Sequence, residues 1–141
     1  MVNFIYPEKE DLKIFIDVLK SGQYTISKYI PETNNDWFDC IFDCIRYIKE
    51  THHYQHNPSV HNIASRILYK VVKRHELGDG NKRSGVIVVY IFYLLNNFAI
   101  INPEELKRQA KRIARTRGRF FEELIKRRIS EKLEKITENF D

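Results

Sequence analysis

His75, Asp79, Asn81, Lys82 and Arg83 fall within residues 75–83, interleaved with glycines at 78 and 80 and followed by Gly85. Turn formation alone accounts for the glycines and an Asp-Gly step. It gives no reason to gather an imidazole, a carboxylate, a carboxamide and two cations ahead of the most apolar stretch of the chain. Phosphate chemistry does. The first turn of a helix leaves several backbone N–H groups without intrahelical partners, and these donors attract anions. Glycines let the backbone turn tightly and approach a ligand closely. Lys82 and Arg83 add fixed positive charge. Asp79 is a hard oxygen ligand of the kind magnesium takes together with phosphate oxygens. The Asn81 side chain can fix the loop or bond a phosphate oxygen. His75, with an ordinary pKa of ~6.5, suits a general base that strips a proton from an attacking hydroxyl.

These residues need elements to hold them, and the apolar spacing supplies helices almost everywhere. Leu12, Phe15, Ile16 and Leu19 recur at helical spacing and stop at Ser21-Gly22. Residues 22–35 contain Gly22, Pro31 and Asn34-Asn35 and read as a loop, with a short extended piece at 23–27. Asp36 is the expected cap of a helix burying Trp37, Cys40, Ile41, Cys44, Ile45 and Ile48. Residues 52–58 break it. Ser59 then caps a helix through Val60, Ile63, Ala64, Ile67, Leu68, Val71 and Val72. Residues 86–95 (VIVVYIFYLL) are β-branched and aromatic enough for a strand, but their length and continuation on both sides favour a helix buried all round. Pro103 with Glu104 and Glu105 opens another helix to about Arg117, and Gly118 separates it from a last one through Phe121, Leu124, Ile125, Ile129, Leu133 and Ile136. The expected fold is a single all-α domain over residues 1–141, about six helices around a central apolar helix.

The segment 75–85 resembles the signature of the Fic/Doc (Fido) family, HxFx(D/E)GNGRxxR in its AMP-transferring branch. His75, Asp79, Gly80, Asn81 and Arg83 match the shared positions. Lys82 matches the Doc (death-on-curing) toxin branch, where lysine replaces the glycine after Asn, and Ser84 is close to its usual Thr. The likeness extends from about residue 59 through the Pro103 helix; residues 1–58 carry no aligned motif. Two positions depart from the signature. Leu77 stands for Phe, a change an apolar anchor tolerates. Val86 stands where the AMP-transferring branch has its second Arg, which removes one phosphate-binding guanidinium.

This resemblance implies His75 as catalytic base, Asp79 as magnesium ligand, and Gly80, Asn81, Lys82 and Arg83 as nucleotide-phosphate contacts. Lys73 is a further candidate phosphate contact, since Doc has a basic residue there, although a helix-end lysine favoured by the macrodipole explains it equally well. The cofactors implied are ATP or another nucleoside triphosphate, and magnesium. Doc binds ATP in the reverse sense and passes its γ-phosphate to a threonine of a translation elongation factor. Phosphoryl transfer to a Ser, Thr or Tyr hydroxyl of a target protein is therefore the favoured activity, in a toxin paired with an antitoxin. AMP transfer by the same fold is the alternative, and a non-catalytic module with this fold is a third reading.

Other features carry less. The chain has 24 Lys+Arg against 19 Asp+Glu, a net charge of +5, which favours polyanionic ligands or acidic partners. Lys107, Arg108, Lys111, Arg112, Arg115, Arg117 and Arg119 form a basic run; with Leu106, Ala110, Ile113 and Ala114 as its core side, the rest reads as a solvated face open to an acidic antitoxin or a nucleotide, and direct nucleic-acid binding is not expected. His52, His53, His56 and His61 lack a cysteine or carboxylate at ligand spacing, so a loop or docking rim is favoured over a metal site. Ser130 and Glu134 match the start of the (S/T)xxxE(G/N) inhibitory pattern, but Lys135 breaks it. Cys40 and Cys44 read as buried free thiols. No signal peptide and no apolar run of spanning length is evident, so a cytoplasmic protein without membrane contact is expected.

Overall fold

The computed structural model describes residues 4–51, 58–74, 81–116 and 122–140. Among them the architecture is all-α, six helices with one two-stranded sheet. α1 (Lys9–Ser21) buries Leu12, Ile16 and Leu19 on one stripe, and the Glu8 N–H donates to the Asp11 carboxylate at 2.9 Å to close its first turn.

The extended piece expected at 23–27 is instead a 3-10 turn, Thr25–Tyr29. The Ser27 hydroxyl donates to the Leu19 carbonyl at 2.6 Å, which folds the segment back on α1. Ile26 and Tyr29, three residues apart, then share the buried side, as a three-residue period requires. α2 (Asn35–Thr51) begins one residue before the expected cap, Asp36: the Asn34 carboxamide accepts from the Trp37 N–H at 2.9 Å and does the capping. Trp37, Ile41, Cys44, Ile45 and Ile48 are buried as expected, whereas Cys40 is only half-buried. Burial pushes the Cys44 thiol up to about 11, which leaves it an inert apolar group.

Ser59 caps α3 (Val60–Val72), its hydroxyl accepting from the Asn62 N–H at 3.0 Å. The uncertain apolar stretch is helical. α4 (Asn81–Leu95) buries residues on every side, from Ser84 to Val89 and again at Ile91, Phe92 and Tyr93. It packs closely on α3 at Gly85, where an added Cβ would lie 2.9 Å from Leu68 Cδ1 and 3.0 Å from Val72 Cγ2. α3, α4 and α5 pack against one another, and α6 lies on α3.

Asn97, at a φ of 66°, reverses the chain after α4, a left-handed conformation asparagine tolerates better than most residues. β1 (Phe98–Ile100) follows and pairs antiparallel with β2 (Thr137–Asn139), Ala99 opposite Glu138. No strand was expected there, because three residues are too few for an alternating pattern to show. α5 (Pro103–Arg115) has the Asn102 side chain accepting from the Glu105 N–H at 3.1 Å and buries Leu106, Gln109, Ala110 and Ile113. Ala114, expected on its core side, is exposed. α6 (Glu122–Lys135) buries Ile129 and Leu133. Among the described residues no helix is long and apolar enough to cross a membrane.

Candidate functional site

Where α3 ends and α4 begins, the chain is drawn together by one side chain. Asn81, the first residue of α4, donates from Nδ2 to the carbonyl of Val72 at 3.2 Å and to the carbonyl of Arg74. Val72 is the last residue of α3, where backbone acceptors have no intrahelical partner, and Arg74 follows two residues on. The clamp thus holds the end of α3 against the start of α4. It also commits both Nδ2 protons to backbone carbonyls at the end of α3. Its Oδ1 is buried and has no hydrogen-bond partner among the described residues.

The next residues of α4 divide by environment. Lys82 is half-buried and Arg83 exposed, and neither meets a carboxylate among the described residues. The first turn of α4 carries no acidic side chain to neutralise them or the helix dipole. Ser84 faces inward: its hydroxyl oxygen accepts from the Trp37 indole N–H at 2.8 Å, fully buried. Ser84 and Gly85 therefore fix α4 against α2 and α3, with Asn81, Lys82 and Arg83 in the turn before them. Val86 is completely buried, so the position of the missing second arginine belongs to the core here.

Lys73, at the C-terminal end of α3, is occupied elsewhere. Its Nζ donates to the Thr116 carbonyl just past α5 and lies 6.0 Å from the centre of the Tyr69 ring. The ammonium tethers α3 to the end of α5. A sequence reader would have needed to know which helix end approaches it, and no local pattern says so.

His75, Asp79 and Gly80 lie outside the described residues, as do Leu77 and Gly78. Lys73, Asn81, Lys82 and Arg83 are thus the described members of the candidate set, on the two helix ends that border that segment.

The histidine cluster divides in the same way. His52, His53 and His56 lie outside the described residues. His61 is on α3, its Nδ1 3.0 Å from the buried Tyr93 hydroxyl and its ring against Tyr93 and Phe98. Burial holds its pKa below the usual range, with Glu134 opposing, so a neutral ring shares the hydrogen bond between Nδ1 and the Tyr93 hydroxyl. Burial likewise keeps Tyr93 protonated. Among the described residues no three His, Cys, Asp or Glu side chains gather as a metal site. Two interactions that matter to the site, Trp37 with Ser84 and Asn81 with the end of α3, escaped sequence reading. The sole hint was that a buried indole N–H needs a partner.

Comparison of the chain with protein-family models, with curated proteins and with solved structures finds no match.

Proposed function

We propose that the chain is a Fic/Doc-type transferase of the Doc kind, moving a phosphoryl group from a nucleoside triphosphate to a hydroxyl of a target protein. The observation that carries the reading is the start of α4. A helix buried on all sides presents Lys82 and Arg83 at its amino end, with no carboxylate in its first turn. Asn81 there bonds back to the carbonyls of Val72 and Arg74, on the near side of the segment that holds His75 and Asp79 in sequence. A helix start, with the N–H donors of its first turn, and two cations together suit the β- and γ-phosphates of ATP.

In the proposed reaction His75 takes the proton of a Ser, Thr or Tyr hydroxyl as its oxygen attacks the γ-phosphorus. The bond from that phosphorus to the β,γ-bridging oxygen breaks, and the diphosphate leaves. Lys82 and Arg83 hold the charge of the transferring and leaving phosphates. One carboxylate plus phosphate oxygens is a sufficient set for magnesium, which would screen that charge, and Asp79 is the residue that would supply it. Val86 favours phosphoryl over AMP transfer, because a buried valine gives the site no further guanidinium. A toxin role with a separate antitoxin, acting in the cytoplasm, belongs to this same proposal.

ATP labelled at the γ or the α phosphorus, incubated with cell lysate and the purified chain, tests it. Label from the γ position should appear in a protein band, and should vanish with His75→Ala. Transfer of α label would replace the kinase reading with AMP transfer. If neither label is transferred, the chain is a binding module.

A further inference from the structure

The cations of α5 are sorted by the helix more cleanly than their number suggests. Leu106, Gln109, Ala110 and Ile113 are buried, while Arg108, Lys111, Arg112 and Arg115 are exposed. The exposed four follow i, i+3, i+4 and i+7, so they share the face directly opposite the core. That face runs about 10 Å along the axis at 1.5 Å per residue. Arg108 touches Glu105 at 2.6 Å, but Lys111, Arg112 and Arg115 meet no carboxylate among the described residues. Elsewhere among the described residues Lys9, Lys28, Arg46, Arg66 and Lys126 each sit against one, while others such as Lys82 and Arg83 do not. What sets this helix apart is its sequence: residues 106–119 hold seven cations and no acidic residue.

We propose that this face of α5 binds the phosphodiester backbone of a nucleic acid, a second function independent of the phosphoryl-transfer reading. The alternative occupant is an acidic protein segment, and the make-up of the face decides against it. Protein interfaces are anchored by buried aromatic and aliphatic side chains within a polar rim. The four cations are accompanied by no large exposed apolar side chain anywhere on α5. A surface of charge without anchors fits a partner whose affinity comes from counterion release rather than apolar burial. Three of the four are arginines, whose planar forks grip phosphate oxygens in pairs. With its arginines spent on phosphate oxygens, this face carries no Asn, Gln, Asp or Glu to read base edges, so binding should be largely indifferent to sequence.

The test is fluorescence anisotropy with a labelled single-stranded RNA of about 20 nucleotides, longer than one binding site, repeated with duplex RNA and duplex DNA. At roughly 50 mM salt the chain should bind, and log affinity against log salt should slope at about −3, four contacts at ~0.7 each. The variant Arg108→Gln/Lys111→Gln/Arg112→Gln/Arg115→Gln should lose at least about tenfold in affinity and most of that slope. A control, Lys9→Gln/Arg46→Gln, should bind like the unmodified chain. Thermal unfolding followed by Trp37 emission checks that the fourfold variant is folded; should it unfold, the pair Arg112→Gln/Arg115→Gln takes its place, with a slope reduced by about half. No binding to any of the three nucleic acids, equal binding by the folded variant, or displacement of RNA by polyglutamate at matched charge would each overturn the proposal.

Discussion

The two ends of α4 hold polar groups of comparable richness and use them in opposite ways. At the carboxyl end the Tyr93 hydroxyl meets His61, and the Asn96 carboxamide bonds Phe92 and both backbone groups of Ile5, each at 2.8 Å. Its polar atoms find partners inside the fold. At the amino end Asn81 and Ser84 are likewise committed to structure, but Lys82 and Arg83 project beyond them without a counter-charge among the described residues. A histidine beside a tyrosine looks more like chemistry than a lysine beside an arginine does. What marks a site is the capacity left over once the fold has taken what it needs.

The comparison breaks first at His75. If the amino end is the working end, His75→Ala should lower γ-label transfer by about a hundredfold or more, the range lost with a general base. His61→Gln should leave transfer within a few-fold. Equal loss from both would mean that the two ends are not distinct.

Next comes the clamp. Asn81→Ala removes two part-buried hydrogen bonds to the end of α3 and should cost about 1–3 kcal/mol of stability. Transfer should fall with it, and denaturant unfolding alongside the label assay measures both. Loss of stability without loss of transfer would make Asn81 a helix-end strut and nothing more.

Ser84→Ala sharpens the comparison from the structural side. It strands the buried Trp37 indole N–H and should destabilise by about 1–2 kcal/mol while leaving transfer by the folded protein intact. Trp37 is the single tryptophan, so its emission reports the change directly.

The smallest effect concerns pH. His61 has a lowered pKa in the folded chain, so the unfolded chain binds more protons as pH falls through its ordinary value of ~6.5. Stability from the neutral ring is present above that range and lost below it. His61→Gln keeps an acceptor for Tyr93 without a titrating ring, and should flatten this part of the stability–pH curve between about pH 5 and 7. An unchanged curve would show that His61 is not a structural titrating group.

Most helices were legible because their apolar residues repeat at 3.6, and Ser59, Gly22 and Pro103 mark ends by local chemistry. The 3-10 turn at Thr25–Tyr29 was not, because it is held by Ser27 bonding back to Leu19, a contact eight residues away. Asn34 displaced Asp36 as the cap of α2 because both types cap well and only backbone geometry chooses between them. Strands β1 and β2 depend on each other across nearly forty residues, and neither has enough length to announce itself.

The sequence by itself determined the helical architecture, the buried central helix and the polar segment at its start, because periodicity and end chemistry are local properties. Tertiary structure alone decided which polar residues are spent. Lys73 reaches across to Thr116, Asn81 to Val72 and Arg74, and Trp37 to Ser84, and each pairing follows from how helices distant in sequence come to lie together. Burial makes such pairings obligatory, since a polar atom taken from water must find another partner, and which one lies within reach is a property of packing rather than of spacing along the chain.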